Sequence, residues 1–292
     1  MHIPDMMLQG AVCPVTVAFA SLGLAGTAYA ACKSTIKPAA SFFAGVTALI
    51  FAAQMANFPI QLGTSGHFLG ATLAVALLGS AFGILAMSLV IITQCFVFAD
   101  GGISSLGANL LNMALIASLP AVFVREFVTS ASFKNTAYFA AAFVSVIMAA
   151  GTCSLQLAMA GTVPIQNVLP VMLSVHAFIG LAESFLTVAA LVVLLQAFTK
   201  VAAHRTWIVP LCIAIVALVI SPFASVLPDG LESVAGTLGF LHLSAPSFVA
   251  PFSGYIVPVV TSVALSTFLA GFVGAVLLFT VAYGAGRVLA RS

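Results

Sequence analysis

Residues Pro170 to Phe198 read PVMLSVHAFIGLAESFLTVAALVVLLQAF, a stretch in which Glu183 is the one formal charge. About 20 apolar residues are enough to cross the hydrocarbon core of a bilayer as a helix. A longer run that is apolar on every face reads as a membrane-spanning helix. Composition points the same way for the whole chain. It is 63% hydrophobic and 5% charged, where a soluble domain carries roughly 25% charged residues. The expected fold class is therefore all-α, a polytopic integral membrane helical bundle in the cell (inner) membrane.

Apolar runs between breakers place spans at 11–31, 39–58, 68–80, 82–99, 108–124, 138–160, 170–198, 207–224 and 257–286. The third is short, and 68–99 could instead be one long tilted helix. Basic residues decide, because cytoplasmic loops collect Lys and Arg. About nine crossings, with the N-terminus outside and the C-terminus cytoplasmic, put Lys33, Lys37, Arg125, Lys134, Lys200, Arg205, Arg287 and Arg291 all inside. A single crossing at 68–99 would divide them. The third segment, with its Gly79-Ser80 turn, is then expected to be a partial helix packed within the bundle. The first run resembles a signal peptide but lacks a preceding positive charge, so it is expected to be a retained span. The five cysteines form no CxxC pair and read as small apolar residues.

This topology gathers Met1-His2-Ile3-Pro4-Asp5, the loop Gly63-Thr64-Ser65-Gly66-His67 and Asp100 on the outer face. A histidine at position 2 can close adjacent chelate rings through the terminal amine, its own amide nitrogen and its imidazole Nδ1. Such planar nitrogen sites suit Ni2+ and Cu2+, with Co2+ also possible. The plain alternative is a polar residue on a frayed terminus. His67 could fill a fourth ligand position, or could simply be a polar residue at a membrane interface. Ala99-Asp100-Gly101-Gly102, leading to Leu106-Gly107-Ala108-Asn109, is a glycine-rich connection that could wrap around the metal loop. His176 and Glu183 lie seven residues apart, on one helix face. An ionisable group at membrane depth is costly, so Glu183 is expected to be functional or paired. Gln54, Asn57, Gln94 and Asn112 are possible partners for it. Pro228-Asp229-Gly230-Leu231-Glu232 reads as a turn opening a short helix. Walker A, dinucleotide and nucleophile-elbow patterns are missing from the sequence, which speaks against an enzyme; no nucleic-acid partner is expected either.

Taken together, these motifs resemble the substrate-binding subunits of cobalt and nickel energy-coupling-factor transporters, the CbiM/NikM family. Residues 1 to about 200 carry the resemblance, and Pro228 to Glu232 resemble the PDGLE domain fused behind it in some members. The resemblance implies two regions, 1–206 and 207–292. It also implies Met1, His2 and His67 as ligands of a transported Ni2+ or Co2+, with no permanently bound cofactor. His176, Glu183, Asp100 and Asn57 would be positioning or gating groups. A transmembrane T-component and cytoplasmic ABC ATPases would be the partners that drive release. One departure is visible, since the family often has Gly after the acidic fifth residue and this chain has Met6. Two rivals remain: a self-sufficient secondary transporter or channel with His176 and Glu183 as a relay, and a structural membrane subunit.

Overall fold

A computed structural model describes residues 2–60 and 63–291. The helices are α1 (Val12–Lys33), α2 (Ala40–Gln54), α3 (Ala71–Leu78), α4 (Ser80–Thr93), α5 (Leu106–Asn109), α6 (Leu119–Phe127), α7 (Ala131–Met159), α8 (Ile165–Phe198), α9 (Ile208–Ile220), α10 (Gly230–Leu238) and α11 (Val263–Arg291). Among the described residues, seven helical segments are long and apolar enough to cross a membrane. In two of them, α4 continues through a π-helical turn to Phe98, and α5 joins α6 through π and 3₁₀ turns. The chain is a multi-pass membrane protein. The remaining two expected spans are shorter. At 1.5 Å per residue, α2 covers about 22 Å and α3 about 12 Å, both less than the ~30 Å hydrocarbon core.

These two short helices form the centre of the bundle. Every residue from Phe43 to Ala52 in α2 is buried, where α11, α9 and α4 pack around it. The helices α1 and α9 instead expose large apolar side chains such as Leu22, Val216 and Val219, the surface that lipid covers. At Gly79 the chain takes φ 92° and folds α4 back along α3. A Cβ on Gly83 would lie 2.6 Å from the Val75 backbone, so only glycine admits this approach. Two helices rather than one long one therefore occupy 68–99. Gly79, Lys33, Lys37 and Arg125 line one cavity of about 710 Å³. That basic end lies a full α1 length from the His2 end.

Between α2 and α3 the backbone leaves helical geometry and turns into the protein. Phe58–Pro59 (β1) pairs antiparallel with Ser65–Gly66 (β2). Beyond β2 the chain runs alongside α8, where Glu183 accepts from the backbone N–H groups of Leu69 and Gly70, each at 2.8 Å. Gln54 donates to the Leu69 carbonyl at 2.7 Å. The expected side-chain partners of Glu183 are not what it binds; its partners are backbone. A non-helical segment at membrane depth has to find its hydrogen bonds within the protein, and this carboxylate supplies two of them. Asn112 and Gln156 satisfy one another through both amide groups, at 2.7 and 2.8 Å.

The first residues lie as an irregular strap over the same end of the bundle, with Ile3, Met7 and Leu8 buried. Met6 takes φ 69° while 49% exposed. This is the left-handed conformation that glycine adopts without strain. For a residue with a side chain this conformation costs about 1–2 kcal/mol.

Two outcomes follow. Glu183→Ala strips the acceptor from two buried N–H groups and should destabilise the protein by about 2–5 kcal/mol; thermal unfolding in detergent unchanged by the substitution would contradict that role. Met6→Gly should leave stability equal or raise it by up to about 1 kcal/mol, the relieved strain offset in part by glycine's entropy. A clear loss on Met6→Gly would show that the side chain, not the turn, matters.

Candidate metal centre

The imidazoles of His2 and His67 meet at this end, with ring centroids 5.5 Å apart and planes inclined by 20°. Two rings bound to one ion at adjacent corners of a square would have centroids roughly 4.5 Å apart, given bonds of ~2 Å. The observed separation exceeds this by about 1 Å. His2 is 8% exposed. Its Nδ1 lies 3.1 Å from Asp100 Oδ1, and its Nε2 lies 3.1 Å from Gln94 Oε1. Both neighbours are acceptors, so this arrangement suits a ring that carries both protons.

Burial works against a charge on Asp100. The His2 ring, acting both as a positive charge and as a hydrogen-bond partner, outweighs that penalty with help from the Tyr255 hydroxyl, and holds the carboxyl well below the usual carboxylate range. Tyr255 donates to Asp100 Oδ2 at 2.6 Å. The site thus keeps a fixed negative charge directly behind His2. A divalent cation that replaced the ring proton would meet the same carboxylate.

The strap that carries His2 is held along its length. Asn109 accepts from the Ile3 N–H at 2.8 Å and donates to the Ile3 carbonyl at 3.1 Å, copying a strand pair with one side chain. The Gly102 N–H donates to the same carbonyl at 2.9 Å. A Cβ on Gly102 would fall 2.3 Å from the Asp5 nitrogen, so the two backbones can touch only at glycine. Asp5 accepts from the N–H and hydroxyl of Ser104 through one oxygen and from those of Ser247 through the other. Burial again disfavours the charge, and these four hydrogen bonds lower its pKa in spite of it. The connection 99–109 therefore wraps around residues 3–5 rather than around the His67 loop. Gln94 opens the π-helical turn of α4, and a second π-helical turn follows Asn109. Such turns often mark functional sites.

His67 stands on the strand-and-loop segment that Glu183 anchors. Its Nδ1 lies 3.2 Å from the Phe68 carbonyl oxygen. A carbonyl can only accept, so Nδ1 carries the hydrogen and Nε2 holds the lone pair. Although part of the ring remains accessible, its surroundings are dry enough that burial pushes its pKa down to about 3. It is neutral at ordinary pH, the form that binds metal.

The C-terminal part closes over this loop. The Ser65 N–H and hydroxyl donate to the carbonyls of Pro228 and Leu227, at 2.8 and 2.7 Å. The hydroxyls of Thr64 and Ser233 are 2.7 Å apart. Asp229 and Glu232 form a reciprocal capping box on α10, which matches the expected turn opening a short helix.

The structure brings His2, His67 and Asp100 together, while Met1 lies outside the described residues. Glu183 sits one step away, shaping the chain after His67. His176 is buried on the same face of α8 and bonds Met172. Among the described residues no hydrogen bond joins His176 to Glu183. Asn57 stands apart: its carbonyl accepts from Ser225, and it borders an apolar groove with Leu49 and Phe68. Gln94, Asn109, Ser247 and Tyr255 were not expected at the site. Gln94 was legible only as a costly intramembrane polar group, and Asn109 only as a helix cap. Nothing local marks Ser247 or Tyr255.

Relatives with known names share this architecture. The family model described as the cobalt uptake substrate-specific transmembrane region, CbiM, matches residues 2–201, and the PDGLE domain model matches 204–291. A protein of Archaeoglobus fulgidus bearing the name putative fused nickel transport protein NikMN is 32% identical over 297 residues, spanning 98% of both chains. The fused nickel transport protein NikMN of Rhodobacter capsulatus is 35% identical over 124 residues, 42% of this chain and 36% of that protein. The crystal structure of a truncated transition metal transporter superposes with a TM-score of 0.59 at 30% identity, covering 68% of this chain and 99% of its own. These relatives are transport proteins rather than enzymes. The chain belongs to the CbiM family of cobalt and nickel transport proteins, with a PDGLE domain fused behind the cobalt-uptake region.

Proposed function

We propose that this chain is the substrate-capture subunit of an energy-coupling-factor importer for Ni2+ or Co2+. The ion is held on the outer face by the Met1 amine, the amide nitrogen and imidazole Nδ1 of His2, and the His67 imidazole. The His2–His67 pair, backed by the ionised Asp100, carries this reading. In the unloaded arrangement Nδ1 of His2 faces Asp100. Loading exchanges that proton for the metal and turns a two-centre ion pair into a chelate. Asp5, Asn109 and Gly102 hold the strap so that the His2 ring lies beside that of His67.

Orientation follows from charge. The basic residues at the end of the bundle far from His2 mark that end as cytoplasmic, which puts the N-terminus outside and the C-terminus inside. The cavity lined by Lys33, Lys37 and Arg125 then faces the side where a T-component and ABC ATPases work. Residues 1–206 form the metal-binding region and 207–292 the PDGLE region, whose outer segment covers the loaded site. Release inward is the task of the partners, since the chain has no nucleotide-binding motif of its own.

Inserting one residue before His2 keeps every side chain and removes only the chelate ring that joins amine, amide and imidazole. Equilibrium Ni2+ or Co2+ affinity should fall at least a hundredfold, and unchanged affinity would refute terminal chelation. Protons compete with the metal for these nitrogens. Each proton displaced weakens binding tenfold per unit fall in pH. His67 contributes none above about pH 4, because burial already holds it neutral. The amide contributes one proton throughout, and protons held by His2 or by the amine add to it. Calorimetric titrations from pH 8 to 5 should therefore show affinity falling by at least tenfold per unit; a flat profile contradicts the proposed ligands.

A further inference from the structure

Apart from the His2–His67 pair, one buried imidazole nitrogen stands bare. His176 is 1% exposed, and its Nε2 has no hydrogen-bond partner among the described residues. Its Nδ1 lies 2.8 Å from the Met172 carbonyl, one helical turn earlier. The carbonyl can only accept, so the hydrogen is on Nδ1 and Nε2 of the neutral ring holds the lone pair. Metal-binding imidazoles are commonly arranged this way: one nitrogen donates to a backbone carbonyl, which sets the tautomer and leaves the other as ligand. The His67 ring likewise directs Nδ1 at a backbone carbonyl, that of Phe68.

Both rings line one cavity of about 20 Å³, closed by Leu69, Ile179 and Gly230. A space of that size holds about one water molecule or an ion of similar size. Gly230 keeps it open, since a Cβ there would stand 2.8 Å from both Cε1 and Nε2 of His176. The chain from His67 to Gly70 also runs along α8 from His176 towards Glu183. This is the direction that leads deeper into the bundle.

We propose that the His67–His176 cavity is a second, weaker station for the divalent transition-metal ion, which passes from the terminal chelate to Nε2 of His176 with His67 as the shared ligand. This rests on the capture site proposed above. Two imidazoles alone bind an ion less tightly than a chelate does, as a position for onward transfer requires. Gly230 then has a role in transport that its place at the start of a helix does not reveal.

The test uses the full chain in detergent, with one residue inserted before His2, and Co2+ alone as probe, followed by its visible absorption. The inserted protein should retain weak binding of about one equivalent with nitrogen ligation. His176→Gln or Gly230→Ala, each added to the insertion, should weaken that residual binding at least tenfold. Absence of residual binding, meaning a cavity that holds water only, overturns the proposal. Residual binding that neither substitution changes overturns it as well. Failure of the capture site shows itself differently, as a native affinity that the insertion leaves intact.

Discussion

A polypeptide that abandons helical geometry inside a membrane must supply partners for each N–H and C=O it frees, and in this protein that task falls to Glu183. Its two carboxylate oxygens receive Leu69 and Gly70, and Gln54 meets the intervening carbonyl. Without these bonds α2 would have no reason to stop short and α3 none to start late. The loop bearing His67 would have no route into the bundle. The placement of one imidazole beside another thus depends on a carboxylate that touches neither.

Much of this architecture was readable from the chain. Long apolar runs and the clustering of eight basic residues were enough to split 68–99 at Gly79, because the alternative would scatter charge across both faces. His2, His67 and Asp100 could be placed on one side by the same reasoning. The partners of Glu183 could not, because backbone groups leave no mark in a sequence. Asn109 bonding Ile3 and Tyr255 bonding Asp100 join residues 106 and 155 positions apart. Such pairings arise from tertiary packing, which overrides the local role each residue suggests. Asn57, expected among the positioning or gating groups, borders an apolar groove.

Met6 shows that a residue with a side chain can occupy a turn that favours glycine. The backbone takes the left-handed conformation, and the exposed side chain has room to accept it. What the position requires is a dihedral angle. Glycine is only the least costly way of providing it.

The reach of Asp5 to Ser247, 242 residues away, has a consequence for the order in which the protein is made. The strap leaves the ribosome early and finds its final partners only after most of the bundle has followed. Until then the carboxylate of Asp5 has Ser104 alone, and Asp100 lacks the hydroxyl of Tyr255. Closing so long a loop carries an entropic cost, and the hydrogen bonds from Ser247 to Asp5 can form only once residue 247 has been made. Fusing the two regions into one chain guarantees that the covering segment is present once for every strap it completes.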